Sequence, residues 1–352
     1  MSFFNFYHFP NFVIVADNPF DQIQKILNNL RIKKNTGILA DEKTWEIAGN
    51  KLEEILKESN YSTSIFLIKE PSISEAHNLI GMCNEKKLEL LFGVGGGSVI
   101  DVTKYTSSKL KIPYISIPTI ASHDGIASPI ASLKGTNFKE SYAAKPPDAI
   151  IVDLDIIAKS PLKFSISGCA DVLSNYSAVL DWQLASRLKG EKIDEAAKGL
   201  SLLAYEMIKN NITKIQEKSK EGFEILIKSL INSSLSMCIA GNSRPASGAE
   251  HLISHSLDRV AENPMLHGLQ CGMASIITLY LHDSNWKEFR AILKKLGAPV
   301  TLSETSLKHQ EMIKAMTMAH TIRDRYTILS DTGLSEQAAE KALRITEINN
   351  IN

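Results

Sequence analysis

Two histidines lie four residues apart in Gly248-Ala-Glu-His251-Leu-Ile-Ser-His255, a spacing that puts both on one face of a helix. His267 follows in Leu266-His267-Gly268, so three of the chain's nine histidines fall between positions 251 and 267. Upstream, Gly168-Cys-Ala-Asp171 carries an acidic residue into the first turn of an expected helix. Two imidazoles and a carboxylate can hold a divalent cation and leave one coordination position open. Such a centre acts as a Lewis acid on a substrate oxygen. Leu252 stands where the HExxH pattern needs glutamate, which excludes that peptidase chemistry. Asp and His donors alone suit zinc, iron or another metal.

A second group of residues surrounds Phe92-Gly-Val-Gly-Gly-Gly-Ser98-Val-Ile-Asp101. Glycines between a strand and a helix let a ligand approach the backbone, and the helix N-terminus offers unpaired amides to a pyrophosphate. Ser98 can serve as N-cap or bind phosphate. Asp101 can favour the helix dipole or hold the nicotinamide end of a cofactor. The pattern is neither GxGxxG nor a Walker loop. Thr119, Ser122, Asp124 and Ser128 follow in Pro118-Thr-Ile-Ala-Ser-His-Asp-Gly-Ile-Ala-Ser, just past a strand end. Ligands of open α/β sheets collect there. The hydroxyls can bond a cofactor, and Asp124 can accept from substrate hydroxyls. Asp41, ending the first expected strand, is either a solvated turn carboxylate or a ribose ligand that repels the extra phosphate of NADP.

These residues need a scaffold, and the pattern of apolar residues supplies one. Strands are expected at 37–40, 64–68, 88–92, 114–117 and 149–152, with helices at 44–56, 73–82 and 99–110 between them. Gly93–Gly97 reads as a glycine loop, and a hairpin turns at Lys134-Gly135. This alternation implies a mostly parallel sheet covered by helices. Beyond residue 160 helical periodicity takes over, at 170–188, 194–208, 214–240, 247–260, 268–282, 286–296 and 306–323, with one short β-like stretch ending at Val300. The fold class is α/β plus all-α: an α/β domain over residues 1–160, then a helical domain over 161–352.

The chain has 352 residues, with 39 Lys plus Arg balancing 39 Asp plus Glu. That balance argues against a general nucleic-acid binder or a polybasic membrane-surface protein. The longest apolar candidate, Leu269–Leu281, contains Gly272 and is too short to cross a bilayer. The N-terminal MSFFNFYHFPNF lacks the basic and apolar regions of a signal peptide, and the tail EINNIN is polar. Four cysteines without a CxxC pair read as reduced thiols of a cytoplasmic protein.

Taken together, FGVGGGSVIDVTKY, SIPTIASHDGIASPIAS, GCADVLSNYSAVLDWQLA, ASGAEHLISHSLD, LHGLQCGMAS and IRDRYTIL resemble the archaeal-type sn-glycerol-1-phosphate dehydrogenases. These belong to the superfamily of iron-containing alcohol dehydrogenases, glycerol dehydrogenases and dehydroquinate synthases. The resemblance covers nearly the whole chain. It implies a dehydroquinate synthase-like fold, with a nucleotide-binding domain and a helical metal domain. It also implies zinc- and NAD(P)H-dependent reduction of dihydroxyacetone phosphate to sn-glycerol 1-phosphate, the backbone precursor of ether membrane lipids. By motif position it makes Asp171, His251 and His267 the ligands of one zinc per subunit, with Asp171 also near substrate. Asp124 and His255 become the catalytic, substrate-contacting residues. Gly95, Gly96, Gly97, Ser98, Asp101, Thr119, Ser122 and Ser128 become contacts to NAD(H) or NADP(H). A homo-oligomer acting on a phosphorylated triose, without nucleic acid or stable membrane insertion, is expected. Arg244, Arg259, Arg323 and Arg325 are candidates for the substrate phosphate, because arginine binds phosphate bidentately. The alternatives are a glycerol dehydrogenase or another metal-dependent alcohol dehydrogenase of the same superfamily. A non-enzymatic metal- or nucleotide-binding regulator is a third reading, and the intact motifs argue against it.

Overall fold

The computed structural model describes residues 8–135 and 138–349. The first residues of the N-terminal reading and the last of the polar tail lie outside them. By its internal contacts the chain divides into two compact units, Met1–Pro161 and Leu162–Asn352.

The first unit is built on a six-stranded sheet of β1 (Phe12–Ala16), β2 (Asn35–Ala40), β3 (Ser62–Leu67), β4 (Leu90–Gly95), β5 (Tyr114–Pro118) and β8 (Ala149–Asp153). The spatial order is β1-β8-β5-β4-β2-β3, and every pairing is parallel. Helices cover both faces, so neighbouring residues on one strand enter different cores. Ile38, Phe92 and Ile115 join one apolar cluster; Leu39, Leu91 and Tyr114 join the other. The expected hairpin forms from β6 (Ile130–Lys134) and β7 (Lys139–Ala143) as a separate antiparallel pair.

Chain direction reverses around β2. The chain steps from β2 out to β3, returns past β2 to β4, and continues through β5 to β8. A crevice at the carboxyl ends of β2 and β4 follows from that reversal. Asp41 directly follows β2, and the glycine-rich segment closes β4.

Several elements differ from the sequence reading. β4 continues through Gly93 to Gly95, because Gly93 pairs with Leu39 on one side and Ser116 on the other. The helix starts at Gly97, so the loop shrinks to Gly96. β1, the helix Ile23–Asn29 and the helix Glu336–Ile345 had no assignment in the sequence reading. No strand forms at Val300, whose amide instead donates to Glu304 Oε2 at 2.8 Å.

The second unit is helical among its described residues. The expected 214–240 helix is two, Ile212–Gln216 and Lys220–Ala240. Between them Lys218 is left-handed, and the Ser219 hydroxyl accepts the Gly222 amide as a new N-cap. The 306–323 helix contracts to His309–Met318 followed by a short tight turn, which leaves Arg323 and Arg325 on irregular backbone. Lys220–Ala240, not Leu269–Leu281, is the described helix long and apolar enough by length and composition to cross a membrane. Its Phe223, Leu226, Ile227 and Leu230 are buried within the protein.

Close approach of two helices governs this unit. Helix His267–Leu281 packs on helix Leu162–Lys189 through small residues. A Cβ at Gly268 would overlap the Ser167 carbonyl oxygen, and one at Gly272 would crowd Ala170.

The first unit has its own tight constraint. Lys104 is fully buried, and its Nζ donates to Asp101 Oδ1 at 2.8 Å, Gly125 O at 2.9 Å and Ile130 O at 2.7 Å. Replacing Lys104 with Met removes the only cation from this network and leaves the buried Asp101 carboxylate without its ion pair. The Lys104→Met variant is expected to lose about 3–5 kcal/mol in urea unfolding. A loss below about 1 kcal/mol would show that the lysine is dispensable.

Candidate functional site

The helix beginning at Gly97 has Gly96 as N-cap and no side-chain cap. Its first amides have no partner within the helix and face the end of β4. Ser98 is exposed in the first turn, so the N-cap option for it is wrong; Gly96 holds that position. His123 explains Gly97: its ring occupies the space a Cβ would need. His123 Nδ1 accepts the Gly125 amide at 2.9 Å, which leaves Nε2 to carry the proton of a neutral ring.

The Thr119 amide donates to Gly95 O at 3.1 Å, which draws the segment after β5 against the glycines. Thr119, Ser122 and Ser128 are buried, and Asp124 is half-buried at the start of a short turn. Asp101 and Ser128 are held inside the protein. Asp101 Oδ1 accepts from Lys104 and Oδ2 from the Ser132 amide at 3.0 Å; Ser128 Oγ lies 3.3 Å from Lys104 Nζ. Asp41 caps the helical segment that begins at Glu42. Its Oδ1 accepts the Thr44 amide at 2.8 Å, and its own amide donates to Thr44 Oγ1 at 3.0 Å.

In the second unit, Asp171, His251 and His267 converge from three helices. Asp171 Oδ1 lies 3.7 Å from His251 Nε2 and 3.8 Å from His267 Nε2. Both separations are too long for charge-assisted hydrogen bonds. They resemble the ~3.4 Å between neighbouring donors of a tetrahedral shell of about 2.1 Å radius.

The outer partners of the imidazoles fix which nitrogens face Asp171. His251 Nδ1 is 2.9 Å from Glu250 Oε1, so it donates to a carboxylate. Gln270 Nε2 donates to Asp258 Oδ1 and Met265 O, which orients the amide and turns Oε1 toward Ser254. Ser254 Oγ gives its proton to that oxygen at 2.6 Å and therefore accepts from His267 Nδ1 at 3.0 Å. In its neutral form each ring thus turns an Nε2 lone pair toward the Asp171 carboxylate. Two lone pairs and an anion repel one another unless a cation stands among them, so the residues fit a divalent metal.

A proton competes with the metal for this place: burial works against an imidazolium at His251, but Cys271 and Glu250 outweigh it and hold the group well above the usual histidine range, so metal binding must displace that proton. Burial pushes the Glu250 carboxyl up; its bonds from His251 and the Gly248 amide hold it below the ordinary value. Glu250 also accepts from the Ser177 hydroxyl at 3.0 Å. Asp181 Oδ2 accepts the Ala249 amide at 2.6 Å and steadies the start of the histidine helix.

His255 stands beside this set rather than in it. Its ring stacks on His267 with centroids 5.6 Å apart, and Arg323 Nη2 donates to His255 Nε2 at 3.4 Å. Burial lowers the Arg323 guanidinium. Arg244 is spent on Glu191 and the Tyr326 carbonyl, and Arg325 on the Ser247 carbonyl and Ser243 hydroxyl. Burial, with the charges of Arg244 and Arg323, pushes Arg325 down to about 10. Arg259 lies in the last turn of the histidine helix. Of the four arginines, Arg323 is bonded to His255.

Sequence reading missed Glu250, Ser254, Gln270 and Lys104, whose parts depend on burial and long-range partners. It also missed Cys271, whose Sγ joins Asp171, His251 and His267 in one group of donor atoms within 4.8 Å of one another. The i, i+4 spacing from His267 was its visible signal.

Comparison with known proteins places the chain in a family. Residues 14–161 match the family described as iron-containing alcohol dehydrogenase. A glycerol-1-phosphate dehydrogenase (NAD(P)+) of Thermococcus sibiricus is 44% identical over 349 residues, covering 99% of each chain. One of Methanosarcina acetivorans is 40% identical, over 96% of this chain and 95% of its own. The crystal structure of glycerol dehydrogenase from Schizosaccharomyces pombe superposes with a TM-score of 0.81 at 19% identity, over 98% of this chain and 91% of that one. That likeness shows the shared fold. The chain belongs to the glycerol-1-phosphate dehydrogenase family of the iron-containing alcohol dehydrogenases.

Proposed function

We propose that this chain reduces dihydroxyacetone phosphate at C2 to sn-glycerol 1-phosphate with NAD(P)H. The product would supply the glycerophosphate backbone of ether membrane lipids. The observation that carries this reading is the convergence of Asp171, His251 and His267 in a chain 44% identical, end to end, to a relative of that name. Four free thiols suit a reducing cytoplasm, where we place the reaction.

In this reading residues 1–160 bind the dinucleotide and residues 161–352 hold metal and substrate. Asp171, His251 and His267 would hold a zinc ion. When bound, the dinucleotide supplies a hydride and the metal supplies Lewis acidity toward the ketone oxygen.

The chain's own residues do the rest. Gly95, Gly96 and Gly97, whose Cβ positions are filled by Val99, Ile120 and His123, bring their backbone to the pyrophosphate, and the first amides of the helix and the Ser98 hydroxyl meet it. Thr119 and Ser122 bond the cofactor from the adjoining loop. Asp101 and Ser128 act through their network with Lys104, fixing the loop that carries Asp124. Asp124 orients a substrate hydroxyl. Glu250 and Ser254 hold the two imidazoles in the tautomer that offers Nε2. His255 moves the proton that the reduced oxygen takes up, and Arg323 beside it receives the phosphate.

Four measurements test the reading. NADH oxidation should show a kcat/KM for dihydroxyacetone phosphate at least about tenfold above that for dihydroxyacetone, the scale of one lost charged contact. The product should be the sn-1 enantiomer. Preference for the unphosphorylated ketone would favour glycerol dehydrogenase instead. His267→Ala should lose activity and weaken metal binding by more than the roughly 10–100-fold that loss of an outer partner costs. Full activity after chelation would remove His267 from the ligand set. Asp41→Ala should raise kcat/KM for NADPH relative to NADH, because a carboxylate at that strand end repels the extra phosphate. An unchanged ratio would leave Asp41 only its capping role.

A further inference from the structure

Cys271 lies one helical turn beyond His267, on the same face of helix His267–Leu281. Its side chain is fully buried, yet its sulfur lies among polar donors. Sγ is 3.6 Å from His267 Nε2 and 3.9 Å from Nδ1, so it lies against the flank of the ring, and a rotation about its Cα–Cβ bond brings it ahead of Nε2. Sulfur and nitrogen bound to one tetrahedral zinc, at about 2.3 and 2.05 Å, stand ~3.6 Å apart. The sulfur is the fourth member of a group whose other three atoms already meet the spacing of a coordination shell.

We propose that Cys271 is a fourth protein ligand, whose thiolate closes the metal centre when no substrate is bound. The inference rests on the metal reading above and extends it from an open three-ligand site to a closed set of two nitrogens, one oxygen and one sulfur. Coordination replaces the S–H bond with a sulfur–metal bond, and the proton leaves to solvent. Substrate must then add to this shell or displace the sulfur. A thiolate also makes the site softer, favouring zinc, cobalt or cadmium over manganese.

Cobalt(II) substitution tests this without relying on turnover. The apoprotein of the full chain is loaded with cobalt, bound metal is counted, and the absorption spectrum is recorded. Wild-type protein should bind one cobalt and show an intense thiolate-to-cobalt charge-transfer band in the near ultraviolet, beside the visible bands of a tetrahedral ion. Cys271→Val and Cys271→Ser should still bind cobalt but lose the charge-transfer band. Cys169→Ala should keep it, since Cys169 lies two positions from Asp171 and off its helical face. One bound cobalt without that band in the wild type, or a band that survives in both Cys271 variants, overturns the inference and leaves the three-ligand centre standing. Failure to bind any cobalt would remove the centre itself, and the inference with it.

Discussion

The contact between helices Leu162–Lys189 and His267–Leu281 is the constraint on which the metal centre depends. Gly268 lets the second helix lie directly on the Ser167 carbonyl, and Gly272 meets Ala170. Asp171 sits one turn beyond Ser167, and His267 directly precedes Gly268. The residues that bring the backbones together are therefore neighbours of the residues that supply donors. A side chain at either glycine would wedge the helices apart and lengthen the Asp171–His267 separation first. Packing at that density transmits strain rather than absorbing it.

Close packing alone would leave the imidazoles free to rotate, and burial makes their outer partners decisive. Glu250 is wholly buried, a costly position for a carboxylate. Its bonds to His251, the Gly248 amide and Ser177 offset that cost. The chain Asp258–Gln270–Ser254–His267 does the same work for the other ring with neutral groups. One imidazole is thus oriented by an anion and the other by a hydroxyl. The first is the more basic donor, because a carboxylate draws the Nδ1 proton and enriches Nε2.

What the sequence disclosed and what it concealed divide along physical lines. Periodicity exposed the parallel-strand alternation, the hairpin and most helices, because burial on two faces or on one stripe writes itself into local spacing. The i, i+4 pair His251 and His255 was equally local, yet only His251 turns its nitrogen to Asp171; His255 goes to Arg323. Helical spacing fixes a face, while rotamer and partner decide the direction. β1 was hidden because a five-residue edge strand with mixed exposure carries little pattern. The true end of β4 was hidden because glycine reads as loop unless its pairing partners on both neighbouring strands are known.

The zero net charge acquires a specific meaning from the structure. A neutral chain has no overall field to gather anionic ligands, so local groups must do so. Among the cations of the first unit, Lys104 does not serve directly: it is fully buried and neutralised by Asp101. That pair's effect is geometric, because Lys104 also holds the Gly125 and Ile130 carbonyls and so ties the helix behind the glycines to the loop bearing Asp124. In the proposed function the attractive groups there would be the amides after Gly96, which no side chain caps, partial charges that need no desolvated ion. In the second unit the comparable charge is the half-buried Arg323, already losing hydration in the folded protein. In the function proposed above, a guanidinium that has surrendered part of its water before binding would give up less when a phosphate arrives, and that pre-organisation would make a single residue selective.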